Sequence, residues 1–225
     1  MMRRILLTGF EPFAGSTLNP SQEILRSFDR DGITHYASEQ AAAIANVEIV
    51  TAILPVIDGQ AERSAMHAIA AARPDAVLCL GEAARRREIA IERIFINLRD
   101  YPTADNSGER IESQPIVEDG PAAYFATLPV EVMCAAVRER GIPAGISLTA
   151  GTFLCNQIAY ALLHAQAQHA LPMMPCGFIH VPCLPEQVAR DERRGAASMS
   201  LDMQCRAVAA AVGVMIANVP ARVSA

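Results

Sequence analysis

Short apolar runs at residues 5–8, 76–80 and 178–181 alternate along the chain with segments of helical periodicity. Runs of this length, stopped by glycine or proline, read as buried strands, and such strands need cover on both faces. Residues 47–55 and 144–149 read as further strands. A helix opens at Asn19-Pro20, a capping residue with proline at the first helical position, and runs towards Asp29. Others are expected at 60–72, closed by Arg73-Pro74, at 130–140, ending at Gly141, at 154–169 and at 200–218. Strand, loop and helix repeating in this way predict a three-layer α/β/α sandwich. Residues 89–97 alternate and read as one more strand, and the hairpin-like spacing from 76 to 97 predicts a twisted mixed sheet. Residues 100–119 are rich in turn formers with little periodicity and read as a long functional loop.

The 225 residues support one substantial core, so 1–225 reads as a single domain. The net charge is -5, and the densest positive cluster, Arg85-Arg86-Arg87, runs directly into Glu88. This reads as a solvated loop and argues against a nucleic-acid partner. No stretch is long enough to span a bilayer, and the first apolar run breaks off too early for a signal peptide. Of the 6 cysteines, at 79, 134, 155, 176, 183 and 205, none forms a Cys-x-x-Cys pair. That excludes a zinc ribbon or a thioredoxin-type motif, and a reducing cytoplasm is the simplest setting. Cys79, Cys134 and Cys205 fall in apolar or helical patterns and read as core residues.

Cys155 differs from the others. It lies in Thr149-Ala-Gly-Thr-Phe-Leu-Cys-Asn-Gln-Ile, where a strand turns through glycine into a helix. A thiol at a helix N-terminus meets the positive end of the dipole, which favours the nucleophilic thiolate. The unpaired N–H groups there could also hold an oxyanion. A buried structural cysteine is the alternative. Among 5 histidines, His180 stands out because it sits in the apolar strand Gly177-Phe-Ile-His-Val-Pro182, where a ring needs a hydrogen-bond partner. His35 falls in a polar loop, and His67, His164 and His169 fit helix surfaces. Glu92 shares one face of its strand with Ala90, Ile94 and Ile96, and a carboxylate there needs a partner, either an arginine or a histidine. Glu82, at a strand's end, is its rival. Phe10 and Phe13 flank Glu11-Pro12 in a glycine-bounded loop of a chain with 5% aromatics, either as a satellite core or as a pocket for a small flat group. Asn19 reads as a helix cap.

These segments resemble the pyrrolidone-carboxylate peptidases, or type I pyroglutamyl peptidases, along essentially the whole chain. The likeness is carried by Leu7-Thr-Gly-Phe-Glu-Pro-Phe13, Asn19-Pro20, Ile91-Glu-Arg-Ile94 with Asn97, and Asp105-Asn106 with Gly108. It continues through Leu154-Cys-Asn156, Gly177-Phe-Ile-His-Val-Pro182 and Pro185-Glu-Gln187. The resemblance implies a cysteine exopeptidase that removes N-terminal pyroglutamyl residues through a thioester, without metal or cofactor. It implies a fold akin to nucleoside phosphorylases and peptidyl hydrolases, though no Gly-rich phosphate loop is recognisable here. Carried over by position, Cys155 is the nucleophile, His180 the base and Glu92 the acidic member. Phe10 and Phe13 would sandwich the lactam, with Asn19, Phe153 and Leu154 completing the substrate pocket. A homo-oligomer, a tetramer in the family, is also implied. Two segments depart from the family. Ala84-Arg85-Arg86 replaces the common Gly-Gly-Arg, and Tyr101-Pro-Thr-Ala-Asp-Asn106 replaces Ala-Arg-Ile-Pro-Asp-Asn, which puts Pro102 in the place of an arginine.

Overall fold

The computed structural model describes residues 2–37, 44–189 and 195–218, and in it the apolar runs become strands of one sheet. The elements in chain order are β1 (Arg3–Phe10), α1 (Pro20–Asp31), a 3-10 turn (Ile33–Tyr36), β2 (Val47–Leu54), α2 (Gln60–Ala72), β3 (Ala76–Glu82), β4 (Ile89–Glu92) and β5 (Ile94–Ile96). They continue with β6 (Ala123–Phe125), α3 (Val130–Arg138), β7 (Ala144–Ser147), α4 (Leu154–Ala167), β8 (Cys176–Val181), α5 (Pro185–Val188) and α6 (Leu201–Asn218). Six strands form a sheet in the order β2-β1-β3-β8-β4-β7, and β5 and β6 form a separate pair.

Alternation along the strands divides the core in two. Ile5, Leu7, Leu78, Leu80, Ile179 and Val181 pack towards α1, α3 and α6. Leu6, Val77, Cys79 and Phe178 pack towards α2 and α4. Every residue of β3 and β8 is buried, as central strands covered on both sides must be. This is an α/β fold with helices on both faces. Asn19 caps α1 as its sequence position predicts, accepting from the Ser21 N–H at 3.0 Å.

The sheet is mixed, but not through a hairpin. β2, β1, β3 and β8 run parallel, β4 is antiparallel to β8, and β4 and β7 are parallel to each other. β8 lies between β3 and β4, so the spacing that suggested a hairpin reflects two antiparallel strands that never touch. The single strand expected at 89–97 also breaks at Arg93. The Arg93 N–H still bonds to Ser147 O (2.9 Å) while its carbonyl accepts from Ala126 (2.9 Å), which turns the chain out of the main sheet. Glu92 therefore does not share a face with Ile94 and Ile96, which lie in β5 of the other sheet. The Asn156 side chain holds β5 in place, accepting from the Ile96 N–H and donating to Ile96 O, each at 2.9 Å.

Candidate active site

Sheet register sets the site. Gly81 of β3 is paired with His180 of β8, His180 with Ala90 of β4, and Glu92 of β4 with Ser147 of β7. Residues in register project to the same side, so His180, Glu92 and Ser147 all face α4. Cys155 is the second residue of α4, one step past Leu154. Gly81 makes the approach possible, because a Cβ on it would lie 2.8 Å from Cys155 Sγ and 2.7 Å from the Phe178 ring. A side chain at this position would displace the Cys155 sulfur or the Phe178 ring. The sulfur thus sits over the strand pair that carries His180.

His180 and Glu92 are coupled directly. His180 Nδ1 lies 2.9 Å from Glu92 Oε1, with His180 4% exposed and Glu92 0%. A carboxylate buried so deeply needs positive or donor partners. It has a second one in Arg86, whose Nη2 lies 3.5 Å from the same oxygen. That guanidinium also donates to Ser147 Oγ at 2.6 Å and to Thr149 O at 3.0 Å. The two partners anticipated as alternatives for Glu92, an arginine and a histidine, are both present. Arg86 is accordingly not the solvated loop residue its charge cluster suggested. It faces inward, and only Arg85 and Arg87 of the three are exposed.

The rival Glu82 is adjacent to Gly81 and so projects to the opposite side of β3. Its carboxylate accepts from Gln187 Nε2 at 2.9 Å and from the Cys183 thiol at 3.6 Å. The other histidines lie elsewhere. His35 sits in the 3-10 turn rather than in a loop, His67 is exposed on α2, His169 lies past the end of α4, and His164 Nδ1 lies 3.0 Å from the Tyr124 hydroxyl.

A cavity of about 590 Å³ joins these groups. Phe10, Phe13, Asn19, Phe153, Leu154, Cys155 and His180 all line it, together with the turn at 83–86 and with Pro102 and Thr103 of the long loop. The Phe13 and Phe153 rings lie 6.0 Å apart at 34°, and the edge of Tyr101 meets Phe153 at 4.7 Å. Tyr101 is fixed from behind, its hydroxyl 2.8 Å from Asp58 Oδ1 and 2.5 Å from Gln157 Oε1. Neither this support nor the inward turn of Arg86 carries a local signal in the sequence, since each depends on residues about 40 to 60 positions apart.

Burial pushes the Cys155 thiol well above its ordinary range, with the neighbouring Glu92 carboxylate adding to it. A thiol with its proton held in this way can act as a nucleophile where a base is within reach, and among the described residues His180 is the histidine that lines the cavity.

The family model for pyroglutamyl peptidases matches residues 3–218. A pyrrolidone-carboxylate peptidase of Chromobacterium violaceum is 43% identical over 201 residues, covering 89% of this chain and 87% of that one. One from Escherichia fergusonii is 40% identical over 211 residues, covering 94% and 92%. Among solved structures, pyroglutamyl peptidase I of Bacillus amyloliquefaciens superposes with a TM-score of 0.85 at 34% identity, covering 96% of this chain and 98% of that one. A mutant pyrrolidone carboxyl peptidase from Pyrococcus furiosus gives 0.86 at 39% identity, covering 96% and 100%.

Proposed function

This chain belongs to the pyroglutamyl peptidases, and from that premise we propose that Cys155, His180 and Glu92 carry its reaction. The enzyme is a cysteine-type omega peptidase acting on N-terminal pyroglutamyl residues. The observation that carries the assignment of roles is the meeting of Cys155 and His180 in one cavity, with His180 held on Glu92 at 2.9 Å.

His180 Nδ1–H donates to Glu92, which leaves Nε2 free as the base. As Cys155 Sγ attacks the pyroglutamyl carbonyl, its proton passes to Nε2. The oxyanion that forms is held by backbone N–H groups at the start of α4. Nε2 then gives the proton to the departing amine as the C–N bond breaks, leaving a thioester. Water, deprotonated by Nε2, cleaves the thioester, releases pyroglutamate and restores the thiol. Glu92 keeps the imidazole oriented and stabilises its positive charge, and Arg86, itself held by Ser147 and Thr149, keeps Glu92 in place.

The lactam lies among Phe10, Phe13 and Phe153, with Leu154 beside the nucleophile and Asn19 at the cavity edge. Pyroglutamate has no α-ammonium, so it enters an apolar pocket without the desolvation cost that a charged N-terminus would meet. That difference excludes ordinary peptides. We take 1–225 as one catalytic domain, a reading supported by the span of the family match. All 6 cysteines are free thiols, which supports a cytoplasmic setting. Assembly as a homo-oligomer would cover exposed apolar side chains such as Phe125, Leu148 and Met173.

Cys155→Ala should lower release of the pyroglutamyl group from a chromogenic substrate by on the order of 10³-fold or more, as loss of a nucleophile does. Retained turnover would sink the assignment.

A further inference from the structure

The turn that follows β3 sends two guanidinium groups in different directions. Its backbone is anchored beside His180, with the Ala83 N–H bonded to Val181 O and the Arg86 N–H to Ala83 O, each at 2.9 Å. Arg86 turns inward onto Glu92, Ser147 and Thr149. Arg85 lines the cavity, is exposed, and has no hydrogen bond or ion pair to another described residue. We propose that Arg85 forms a carboxylate-binding subsite on the leaving-group side of the cavity, favouring substrates that present a carboxylate on the residue after pyroglutamate.

The inference rests on the roles given above to Cys155 and His180. His180 must reach the departing amine, so the residue that follows pyroglutamate lies at the His180 end of the cavity. The 83–86 turn occupies that end, since it begins next to the strand that carries His180. The other charged groups lining the cavity are engaged. Glu82 is bonded to Gln187 and Cys183, Arg86 to Glu92, and His180 to Glu92. Among the described residues, Arg85 is the cavity charge left to meet a ligand. A guanidinium presents two parallel donors to a carboxylate, which suits it to this role better than to binding a neutral side chain. The carboxylate could be the side chain of aspartate or glutamate, or the main-chain terminus of a dipeptide.

Three substrates separate these sources: pyroglutamyl-alanine amide, pyroglutamyl-glutamate amide and pyroglutamyl-alanine with a free C-terminus. At low ionic strength the wild-type enzyme should show kcat/KM about threefold higher for at least one carboxylate-bearing substrate than for the neutral amide, the size expected of an exposed charge pair. The preference should vanish in about 0.5 M salt, where exposed charges are screened. In Arg85→Ala the ratio should fall to unity, and in Arg85→Glu it should invert. Ratios are read within each variant, so a general loss of activity or of folded protein cancels. A preference for the glutamate amide alone assigns the subsite to a side chain, and one for the free dipeptide alone assigns it to the chain terminus. Equal wild-type rates on all three substrates, or a preference that survives Arg85→Ala, overturn the subsite and leave the peptidase assignment intact. No turnover of any of the three would sink both.

Discussion

Glu82 and Glu92 each end a strand that flanks β8, and both are buried, yet only one meets an imidazole. Glu92 projects towards α4, where His180, Ser147 and Arg86 converge. Glu82 also borders the cavity, but it projects to the other side of the sheet, where Gln187 joins it to Ser16 and Leu18 at 3.3 and 3.2 Å, at the entrance to α1. One side of the sheet end gathers chemistry, while the other ties loops together. Burial and position at a strand end are shared, so neither decides the role. The direction of projection does.

The difference is broken most severely at Glu92. Under the roles proposed for Cys155, His180 and Glu92, Glu92→Gln keeps the shape but removes the charge beside the imidazole, and kcat should fall by about 10³ to 10⁴, as it does when a triad acid is neutralised. A loss below about tenfold, measured under single-turnover conditions on correctly folded protein, would mean that Glu92 is structural. Glu82→Gln should do the reverse. It weakens a charge-assisted hydrogen bond by about 1 to 2 kcal/mol, visible as a lower denaturant midpoint, and kcat should fall far less than in Glu92→Gln. Comparable kcat losses in the two variants would erase the contrast.

Deeper on the α4 side, the chemistry stops. Cys79 points the same way as Gly81 and His180 but is 0% exposed, and burial pushes its thiol up to about 11. The sign follows from linkage. The unfolded thiol ionises from about pH 8.5 while the folded one keeps its proton, so stability is full below that pH and declines as pH rises towards 11. Thermal unfolding followed from pH 8 to 11 should show this decline, and Cys79→Ala should make it shallower, with Cys155, Cys176 and Cys205, raised by burial in the same way, carrying the rest. An unchanged slope would show that Cys79 is not buried as described.

Much of this arrangement was legible in the sequence. The apolar runs marked β1, β3 and β8, Asn19-Pro20 marked the start of α1, and the glycine-containing turn before Cys155 placed that residue at a helix start. Those signals are local, because they arise from periodicity, capping and turn preference within a few residues. The resemblance to a known family, which holds over the whole chain, supplied the pairing of Cys155, His180 and Glu92. The strand expected at 89–97 misled because alternation continues through Arg93 although the hydrogen bonding changes partner there. Arg86 lies in a charge run, which is normally solvated, and its contacts with Ser147 and Thr149, 61 and 63 residues away, turn it inward.

The sequence by itself determined the alternating layers, the helix-terminal thiol and the loop aromatics, since each follows from short-range patterns. Tertiary structure alone decided that β8 enters between β3 and β4, a choice made by packing across distant segments. That insertion puts His180 in register with Gly81 on one side and Ala90 on the other, brings Glu92 to its ring, and leaves room at Gly81 for the Cys155 sulfur.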